Sequence, residues 1–395
     1  MSPKTSLKRL AIVLAVLSLV TAVEVHAASP MEINVVLPLT GGASFLGKAE
    51  QQALQVAEKL IADTGGVHGA PVKFVFHDDQ SSPQVAVQIA TQIVASKPAV
   101  VLGSAVVATC NAMAPLMKRG PVLYCFSPGT YPAAGAYMFT SSSSTRDLAA
   151  AQIRYWRMRG VTKLGLITST DASGQDALNN IKTIIAAPEN KDVQLVAEVR
   201  FNPGDVSVSA QIQSIKTKEP QALIAWSTGA SIGTVFKGIV EAGLDVPVAT
   251  TDGNMTYAQM TQYAAILPKE LYIPSPQWPR HEGRTLEPAV EAAQQAFFAA
   301  FDIAGVRPDI AAALSWDPTM IVLHALRSLP AGANAEQVRA FIAGLHSFAG
   351  ISGTFDFVKT PQRGLDDSSV LITRWNPDAS EWSVVSKPRG IPLDH

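Results

Sequence analysis

The sequence predicts an α/β protein with two similar lobes, each built on a parallel sheet. Short apolar runs alternate with longer helical segments from residue 33 onward, and the alternation starts again at residues 144–147. Several runs are apolar on both faces and are bounded by glycine or proline, such as residues 100–102 and 122–124. Such runs are typical of buried parallel strands. Their alternation with helices predicts parallel sheets with helices on both faces.

The first 27 residues predict a secretory signal peptide. Lys4, Lys8 and Arg9 precede an apolar run at residues 10–20, and small residues lie at the spacing of a cleavage site at 25–27. The run is too short and wrongly flanked for a membrane-spanning helix. No cysteine lies near the predicted cleavage site, so we expect an exported, soluble chain without a lipid anchor.

The composition is that of a packed globular protein. The chain has 395 residues, of which 47% are hydrophobic and 16% charged, and this length favours two domains. A formal net charge of −1 offers no basic stripe, so we expect no nucleic-acid partner. The seven histidines show no spacing typical of metal ligands, so we expect no metal and no cofactor.

Cys110 and Cys125 are the only cysteines, and three interpretations stay open for them. In an exported protein they could form a disulfide between a helix start and the neighbouring strand. They could equally be buried free thiols that serve as small apolar residues. A redox or nucleophilic role has the least support, because the sequence has no CxxC motif and no nearby histidine.

The elements of the first lobe follow in order from the alternating pattern. Pro83 lies where a proline begins a helix, and Gly65 lies where a helix ends. The predicted strands cover residues 33–37, 72–76, 100–102 and 122–126, and the predicted helices cover 48–62, 83–95 and 109–118.

The second lobe begins with a helix start at residues 144–147, where serine, threonine and aspartate supply the capping groups. The predicted helices cover residues 148–159, 175–186, 208–216 and 232–242, and the predicted strands cover 164–168, 194–199, 222–225, 248–250 and 271–273.

The pattern changes at Pro274. Pro274, Pro276 and Pro279 predict a stiff, extended stretch suited to a crossing between the lobes. We expect the helices that follow to pack back onto the first lobe, since they cannot form an α/β domain alone. Those helices are predicted at 287–301, 310–328 and 335–345, and closing strands at 350–357, 370–375 and 382–385.

Two segments that follow predicted strands, residues 103–109 and 126–131, mark the candidate ligand site. Ligands of open α/β sheets bind beyond the carboxyl ends of the strands. Thr109 lies where a helix is predicted to start, and a hydroxyl beside the free N–H groups of a first turn suits a carboxylate. The alternative is that Thr109 only caps its helix and that Pro128 and Gly129 only form a turn.

The chain resembles the type I periplasmic solute-binding proteins, in the branch that serves branched-chain amino acid ABC importers. The resemblance extends over essentially the whole mature chain. Its motifs are Pro38-Leu39-Thr40-Gly41 to Gly47, Gly65-Gly66-Val67-His68-Gly69, Asp78-Asp79 to Pro83, Phe126-Ser127-Pro128-Gly129-Thr130 and Thr251-Asp252-Gly253-Asn254.

The resemblance implies two Rossmann-like lobes joined by three hinge crossings, with the ligand held between lobes that close over it. We expect the crossings near Arg146, Pro274 and Phe357. The first lobe would comprise residues 28–146 and 278–356, and the second lobe residues 147–277 and 357–395.

The resemblance also implies site residues. A hydroxyl and backbone N–H groups at Ala108, Thr109, Gly129 and Thr130 would hold the ligand carboxylate. Phe45 and Leu46 lie where the family has an aromatic wall. Asp252 lies where amino-acid binders pair with the ligand ammonium group; the alternative is that residues 252–254 only form a turn.

The sequence departs from the family at several site positions. Ser173 stands where the second lobe often has a tyrosine, and Ser227 and Thr228 replace aromatic positions. Aromatic residues occur instead at Tyr131, Trp278 and Trp316. These changes favour a larger or less amino-acid-like acid, such as an aromatic carboxylate. Core packing is the alternative role for Trp316, and a solvent-exposed ring is the alternative for Trp278.

We therefore predict the periplasmic binding component of an ABC importer, not an enzyme, with an inner-membrane permease as partner and a monomeric state. A sensor subunit of the same fold is one alternative. A hydrolase is the other, because Gly229, Ser231 and Gly233 fit G-x-S-x-G, with Asp302 or Asp317 and His324 or His346 as potential partners. The motif is weak in a chain with 27 glycines.

Overall fold

A computed structural model describes residues 29–280 and 286–393 of the chain. The predicted signal peptide lies outside these residues. None of the helices described is both long enough and apolar enough to cross a membrane.

The first sheet contains the predicted parallel strands and one more. Its strand order is β2-β1-β3-β4-β5, and every neighbouring pair is parallel. The short strand β5 was not predicted. In chain order the elements are β1 (Met31–Leu37), α1 (Ser44–Asp63), β2 (Val72–Asp78), α2 (Pro83–Ala95), β3 (Val100–Gly103), α3 (Val107–Met113), β4 (Val122–Cys125) and β5 (Met138–Thr140).

The second sheet has a parallel centre and an antiparallel edge. The strand order is β14-β13-β10-β9-β8-β6-β7, in which β13 runs antiparallel to both neighbours. Its elements are α4 (Thr145–Met158), β6 (Lys163–Ser169), α5 (Ala172–Ile185), β7 (Gln194–Phe201), α6 (Ser209–Lys216), β8 (Ala222–Trp226), α7 (Ser231–Glu241), β9 (Val248–Ala249), α8 (Tyr257–Gln262) and β10 (Leu271–Pro276), followed much later by β13 (Val370–Asn376) and β14 (Glu381–Val384).

Between β10 and β13 the chain returns to the first sheet, as predicted. This part holds α9 (Pro288–Ala304), α10 (Ile310–Ser328), α11 (Ala335–Ala343) and the hairpin of β11 (Phe348–Gly350) and β12 (Gly353–Phe355). Helix α10 packs along α1, and the two helices share one apolar core with the first sheet. The small ribbon of β15 (Ser386–Lys387) and β16 (Ile391–Pro392) ends the described chain.

The chain passes between the two sheets at residues 141–144, between the end of β10 and the start of α9, and at residues 356–369. The second connection begins after Pro276, because Pro274 and Pro276 belong to β10. Pro274 is opposite Ile372, whose N–H and carbonyl both bond away from β10, to Ser386 and Val385. The missing N–H of Pro274 therefore costs no bond to β13. The exact lobe boundaries stay a prediction.

Local sequence signals fix several helix ends. Ser82 caps α2 at the N–H of Val85, directly before Pro83. Ser144 and Asp147 form a reciprocal capping box at the start of α4. Gly65, just past α1, has a φ of +86°, which glycine adopts without strain.

Cys110 of α3 and Cys125 of β4 form a disulfide, with Cα atoms 6.1 Å apart. The disulfide interpretation therefore holds. Both cysteines are buried, so the bond joins the helix to the strand inside the first lobe.

Candidate functional site

A cavity of about 470 Å³ lies between the lobes at the carboxyl ends of both sheets. That volume falls within the range of small-molecule sites. The first lobe contributes the loops after β1, β3 and β4, and the second lobe contributes the loops after β6, β8 and β9. The cavity thus occupies the position predicted from the strand ends.

The cavity lining is mostly apolar or hydroxyl-bearing. Asp171 and Asp252, both from the second lobe, are its charged residues, and the described lining includes no lysine, arginine or histidine. A ligand carboxylate in this cavity would have to be held by neutral donors. The first-turn N–H groups of α3, including that of Ala108, have no acceptor within the helix and are of this kind.

Six of the predicted site residues line the cavity: Leu46, Ala108, Gly129, Ser173, Thr228 and Asp252. Ser173, in the first turn of α5, and Thr228, in the loop after β8, have hydroxyl oxygens that are 3.1 Å apart. A Cβ at Gly129 would approach Val107 Cγ2 to 2.7 Å and Asp176 Oδ2 of the other lobe to 3.2 Å. Gly129 therefore allows a close approach of the lobes. A role in ligand binding stays a prediction for all six residues.

Thr109 and Thr130 do not line the cavity. Helix α3 begins at Val107, two residues earlier than predicted, so Thr109 lies inside the helix and cannot cap it. Its buried hydroxyl donates to the carbonyl of Val106 at 2.8 Å. The Thr130 hydroxyl is also buried, and it donates to Thr140 Oγ1 at 2.9 Å. Both hydroxyls are engaged within the first lobe, and this geometry contradicts direct ligand contact by either.

The predicted aromatic residues also lie elsewhere. Phe45 faces the opposite side of α1, where its ring meets Tyr263 edge-on at 6.1 Å. Trp316 is only 4% exposed and packs on Phe297 at 5.0 Å, so its alternative role in the core is correct. Trp278 is buried and donates from Nε1 to Ser275 Oγ at 3.1 Å, away from the cavity and from solvent.

Tyr131 lies at the edge of the cleft, outside the cavity lining. Its ring is 53% exposed. The hydroxyl donates to Asp176 Oδ2 at 3.4 Å and accepts from Asn180 Nδ2 at 3.2 Å, both on α5 of the second lobe. Tyr131 therefore connects the two lobes.

A second contact between the lobes uses backbone atoms. The N–H of Ala230 in the second lobe donates to the carbonyl of Gly42 in the first lobe at 2.9 Å. A Cβ at the preceding Gly229 would lie 2.3 Å from the same carbonyl oxygen. We call the Gly42–Ala230 and Tyr131–Asp176 pairs the rim contacts. Through these two contacts the lobes touch each other beside the cavity.

Asp252 lies in a turn, and its carboxylate is buried. The residue is fully buried, and Oδ1 accepts from Gly253 N at 2.8 Å and from Thr251 Oγ1 at 3.0 Å. Oδ2 has one weak donor, the Ser142 hydroxyl at 3.4 Å. Burial raises the pKa of Asp252 from 3.8 to about 6, partly offset by these hydrogen bonds and by the charge of Arg363. The turn therefore occupies Oδ1, whereas Oδ2 has this one weak hydrogen bond.

Sequence reasoning missed two prominent residues of the lining. Trp226 is the last residue of β8, which extends one residue further than predicted. Asp171 follows β6 and caps α5 by accepting from Gly174 N at 2.9 Å. In the first lobe we predicted ligand residues at the carboxyl ends of β3 and β4. The same rule, applied to the strands of the second lobe, identifies Trp226 and Asp171.

Ser231 of the G-x-S-x-G motif also lines the cavity, but the two histidines considered as its partners make other contacts. Its hydroxyl bonds with that of Ser227. His324 packs between the rings of Phe341 and Phe348, and His346 lies 3.4 Å from Asp356. Both histidines belong to the part of the chain that returns to the first lobe.

A cavity between two lobes, at the carboxyl ends of two parallel sheets, defines a two-lobed ligand-binding protein. The chain belongs to the periplasmic binding protein family, whose model matches residues 30–380. This match confirms the predicted family, a class of ligand-binding proteins. No curated protein matches the chain at a significant level.

Solved structures show the same fold at low sequence identity. An extracellular ligand-binding receptor from Rhodopseudomonas palustris is 20% identical, with a TM-score of 0.77 over 91% of this chain and 99% of that chain. The branched-chain amino acid transporter substrate binding protein LivJ from Streptococcus pneumoniae, in complex with isoleucine, is 19% identical, with a TM-score of 0.75 over 90% and 99%. The leucine binding protein LivK from Thermotoga maritima is 18% identical, with a TM-score of 0.74 over 90% and 97%. The predicted type I fold is confirmed.

Proposed function

We propose that the protein is the periplasmic solute-binding component of an ABC importer and that it captures a small carboxylate ligand in the cleft. One observation supports this most strongly: Ala108, in the first turn of α3 in the first lobe, and Asp252, a buried carboxylate of the second lobe, line the same cavity. A zwitterion such as an amino acid satisfies both groups at once, with its carboxylate near α3 and its ammonium near Asp252.

The lining of the cavity favours only some small carboxylic acids as ligands. A simple dicarboxylate would bring a second negative charge to a lining that already holds Asp171 and Asp252 and no cation. An apolar ligand side chain would have Leu46 and Trp226 as neighbours. We therefore favour amino acids with aliphatic or aromatic side chains. The bound isoleucine of the structurally similar LivJ supports the same class.

The remaining features of the proposal follow from the family and from the predicted signal peptide. The mature protein works in the periplasm as a monomer and delivers its ligand to an inner-membrane ABC permease. Closure of the lobes traps the ligand, since a ligand that contacts both lobes favours the closed state by its differential contacts.

A thermal-shift screen of amino acids and carboxylic acids tests the ligand class. A ligand at one hundred times its Kd should raise the free energy of unfolding by about 2.7 kcal/mol. Small-angle X-ray scattering on the best hit then tests closure, for which we expect a lower radius of gyration. Stabilisation by dicarboxylates but by no amino acid would contradict the ligand class, and an unchanged scattering profile at saturation would contradict the closure mechanism.

A further inference from the structure

Arg363 is a buried arginine on the third connection between the lobes. It is 6% exposed, and none of the ion pairs among the described residues includes it. A buried cation needs hydrogen-bond partners to replace water. All four acceptors of its guanidinium group are backbone carbonyl oxygens.

These carbonyls belong to two different segments. Nη2 donates to Thr130 O at 2.6 Å and to Pro128 O at 3.1 Å, in the loop after β4. Nη1 donates to Ser142 O at 3.0 Å and to Ser141 O at 3.4 Å, in the first connection between the lobes. One planar group thus joins two interlobe connections to a loop of the cleft.

The loop held by Nη2 carries Gly129, which lines the cavity. The bond to Pro128 O fixes the peptide group that enters Gly129, and the bond to Thr130 O fixes the peptide group one residue beyond it. Because Gly129 has no side chain to hold it in place, its backbone depends on such outside contacts.

The segment held by Nη1 carries Ser142, which donates to Asp252 Oδ2. The neighbouring Gln362 reinforces the anchor, since its amide bonds Gly135 N at 3.0 Å and Ala136 O at 2.9 Å. Residues on both sides of the cleft are therefore linked to Arg363 through a single intervening residue.

We propose that Arg363 is the positioning residue of the ligand site: it holds the Gly129 loop in its binding conformation and ties that loop to the first interlobe connection. This inference rests on the proposed function for its ligand. It implies that the shape of the site and the angle between the lobes change together, because one guanidinium group is bonded to both segments.

The test replaces Arg363 with lysine, which keeps the charge but offers a single nitrogen that cannot reach both pairs of carbonyls. Arg363→Gln is the second variant, in case the lysine variant folds poorly. Arg327→Lys is the matched control, because Arg327 also donates to a backbone carbonyl, Gly66 O at 2.8 Å, at a place in the first lobe far along α10 from the cleft.

The first measurement is amide hydrogen exchange without added ligand. In Arg363→Lys we expect exchange at Thr140 and Ser141, whose amides bond Gln362 O and Cys125 O, to become about tenfold faster. Amide exchange in β8 of Arg363→Lys should match that of the parent protein. The midpoint of global unfolding of Arg327→Lys should also match that of the parent protein. Unchanged exchange at Thr140 and Ser141 in both Arg363 variants would overturn the proposal.

The second measurement is calorimetric titration with L-leucine. If Arg363 only stabilised the fold, the affinity of the folded fraction for L-leucine would not change. We expect Arg363→Lys to weaken L-leucine binding by about tenfold or more, as outer-shell partners of other sites do, and Arg327→Lys to leave it within twofold. Equal affinity in the parent and in Arg363→Lys would overturn the positioning role. If the parent itself binds no L-leucine, the proposed ligand fails, while hydrogen exchange still decides the role of Arg363.

Discussion

Replacing Asp252 with asparagine should make the protein more stable and a poorer binder at the same time. The substitution keeps the shape of the side chain and an oxygen that can accept from Gly253 N and Thr251 Oγ1. It removes a negative charge that is fully buried. Stability and binding should therefore move in opposite directions.

The effect on stability follows from the pKa. The folded-state pKa of Asp252 is about 6 against an ordinary value of 3.8, so the folded protein holds its proton more tightly than the unfolded chain does. The stability that Asp252 contributes is greatest below pH 4, falls as the pH rises through the window from 4 to 6, and is lowest above it. A difference of about two pKa units corresponds to about 3 kcal/mol. At pH 8 we expect Asp252→Asn to be more stable than the parent by up to that amount, and at pH 3.5 by almost nothing.

The effect on binding has the same origin. An amino-acid ligand needs the ionised carboxylate, of which about one tenth is present at pH 5, so the parent should bind about tenfold more weakly at pH 5 than at pH 8. The asparagine variant should lose this pH dependence. It should also bind more weakly at pH 8 by about 2–5 kcal/mol, because the ligand ammonium is left without its partner.

Urea unfolding of both proteins at several pH values gives the stability difference, and calorimetry with the best amino acid from the screen gives the binding difference. The comparison must use the difference between the two proteins, because Asp309 and Asp317 are also buried with raised pKa values, about 7 and about 6. A variant that is less stable than the parent at pH 8 would refute the assignment of a buried charge. Undiminished binding of an amino acid would refute the pairing with the ammonium.

Three further predictions concern closure, the Thr109 hydroxyl and the disulfide. Gly229→Val should lower ligand affinity by about tenfold or more and abolish compaction in scattering, because its Cβ would lie 2.3 Å from Gly42 O. Gly243→Val is the control, because Gly243 also has a positive φ but its Cβ would meet only the end of the Lys216 side chain. Thr109→Ala should leave affinity within twofold and lower the free energy of unfolding by about 1 kcal/mol, since its hydroxyl bonds only Val106 O; a tenfold loss of affinity would restore a direct role. Replacing Cys110 and Cys125 together with serine should lower the free energy of unfolding by about 3 kcal/mol in urea, given the separation of 15 residues, and an unchanged midpoint would contradict a formed disulfide.

The periodic pattern of the sequence was enough to predict the architecture. Strands β3 and β4 are apolar on both faces because both faces are covered, and Ser82, Pro83 and Asp147 act at helix ends through local chemistry. Signals of this kind involve neighbours in sequence. They therefore survive without any knowledge of the tertiary structure.

The failures at the site depend on small shifts in register. Helix α3 starts two residues before its predicted start. Thr109 is therefore the third residue of the helix, and its side chain points about 200° around the helix axis from that of the first residue. Phe45 and Leu46 are adjacent on α1, yet only Leu46 faces the cavity. Trp316 could not be distinguished from a cleft residue, because its partners Phe297 and Phe301 come from another helix.

The rim contact between Gly42 and Ala230 joins two main-chain atoms, and the Arg363 bonds end on four more. The Gly42–Ala230 contact and the anchoring of the Gly129 loop therefore depend little on which side chains line the cavity. Substitutions at Leu46, Ser173, Thr228 or Trp226 can change the shape and polarity of the pocket while the closing movement is preserved. We therefore expect side chains of the lining to set ligand preference while the main-chain contacts are kept, and a redesign of selectivity can be confined to the lining.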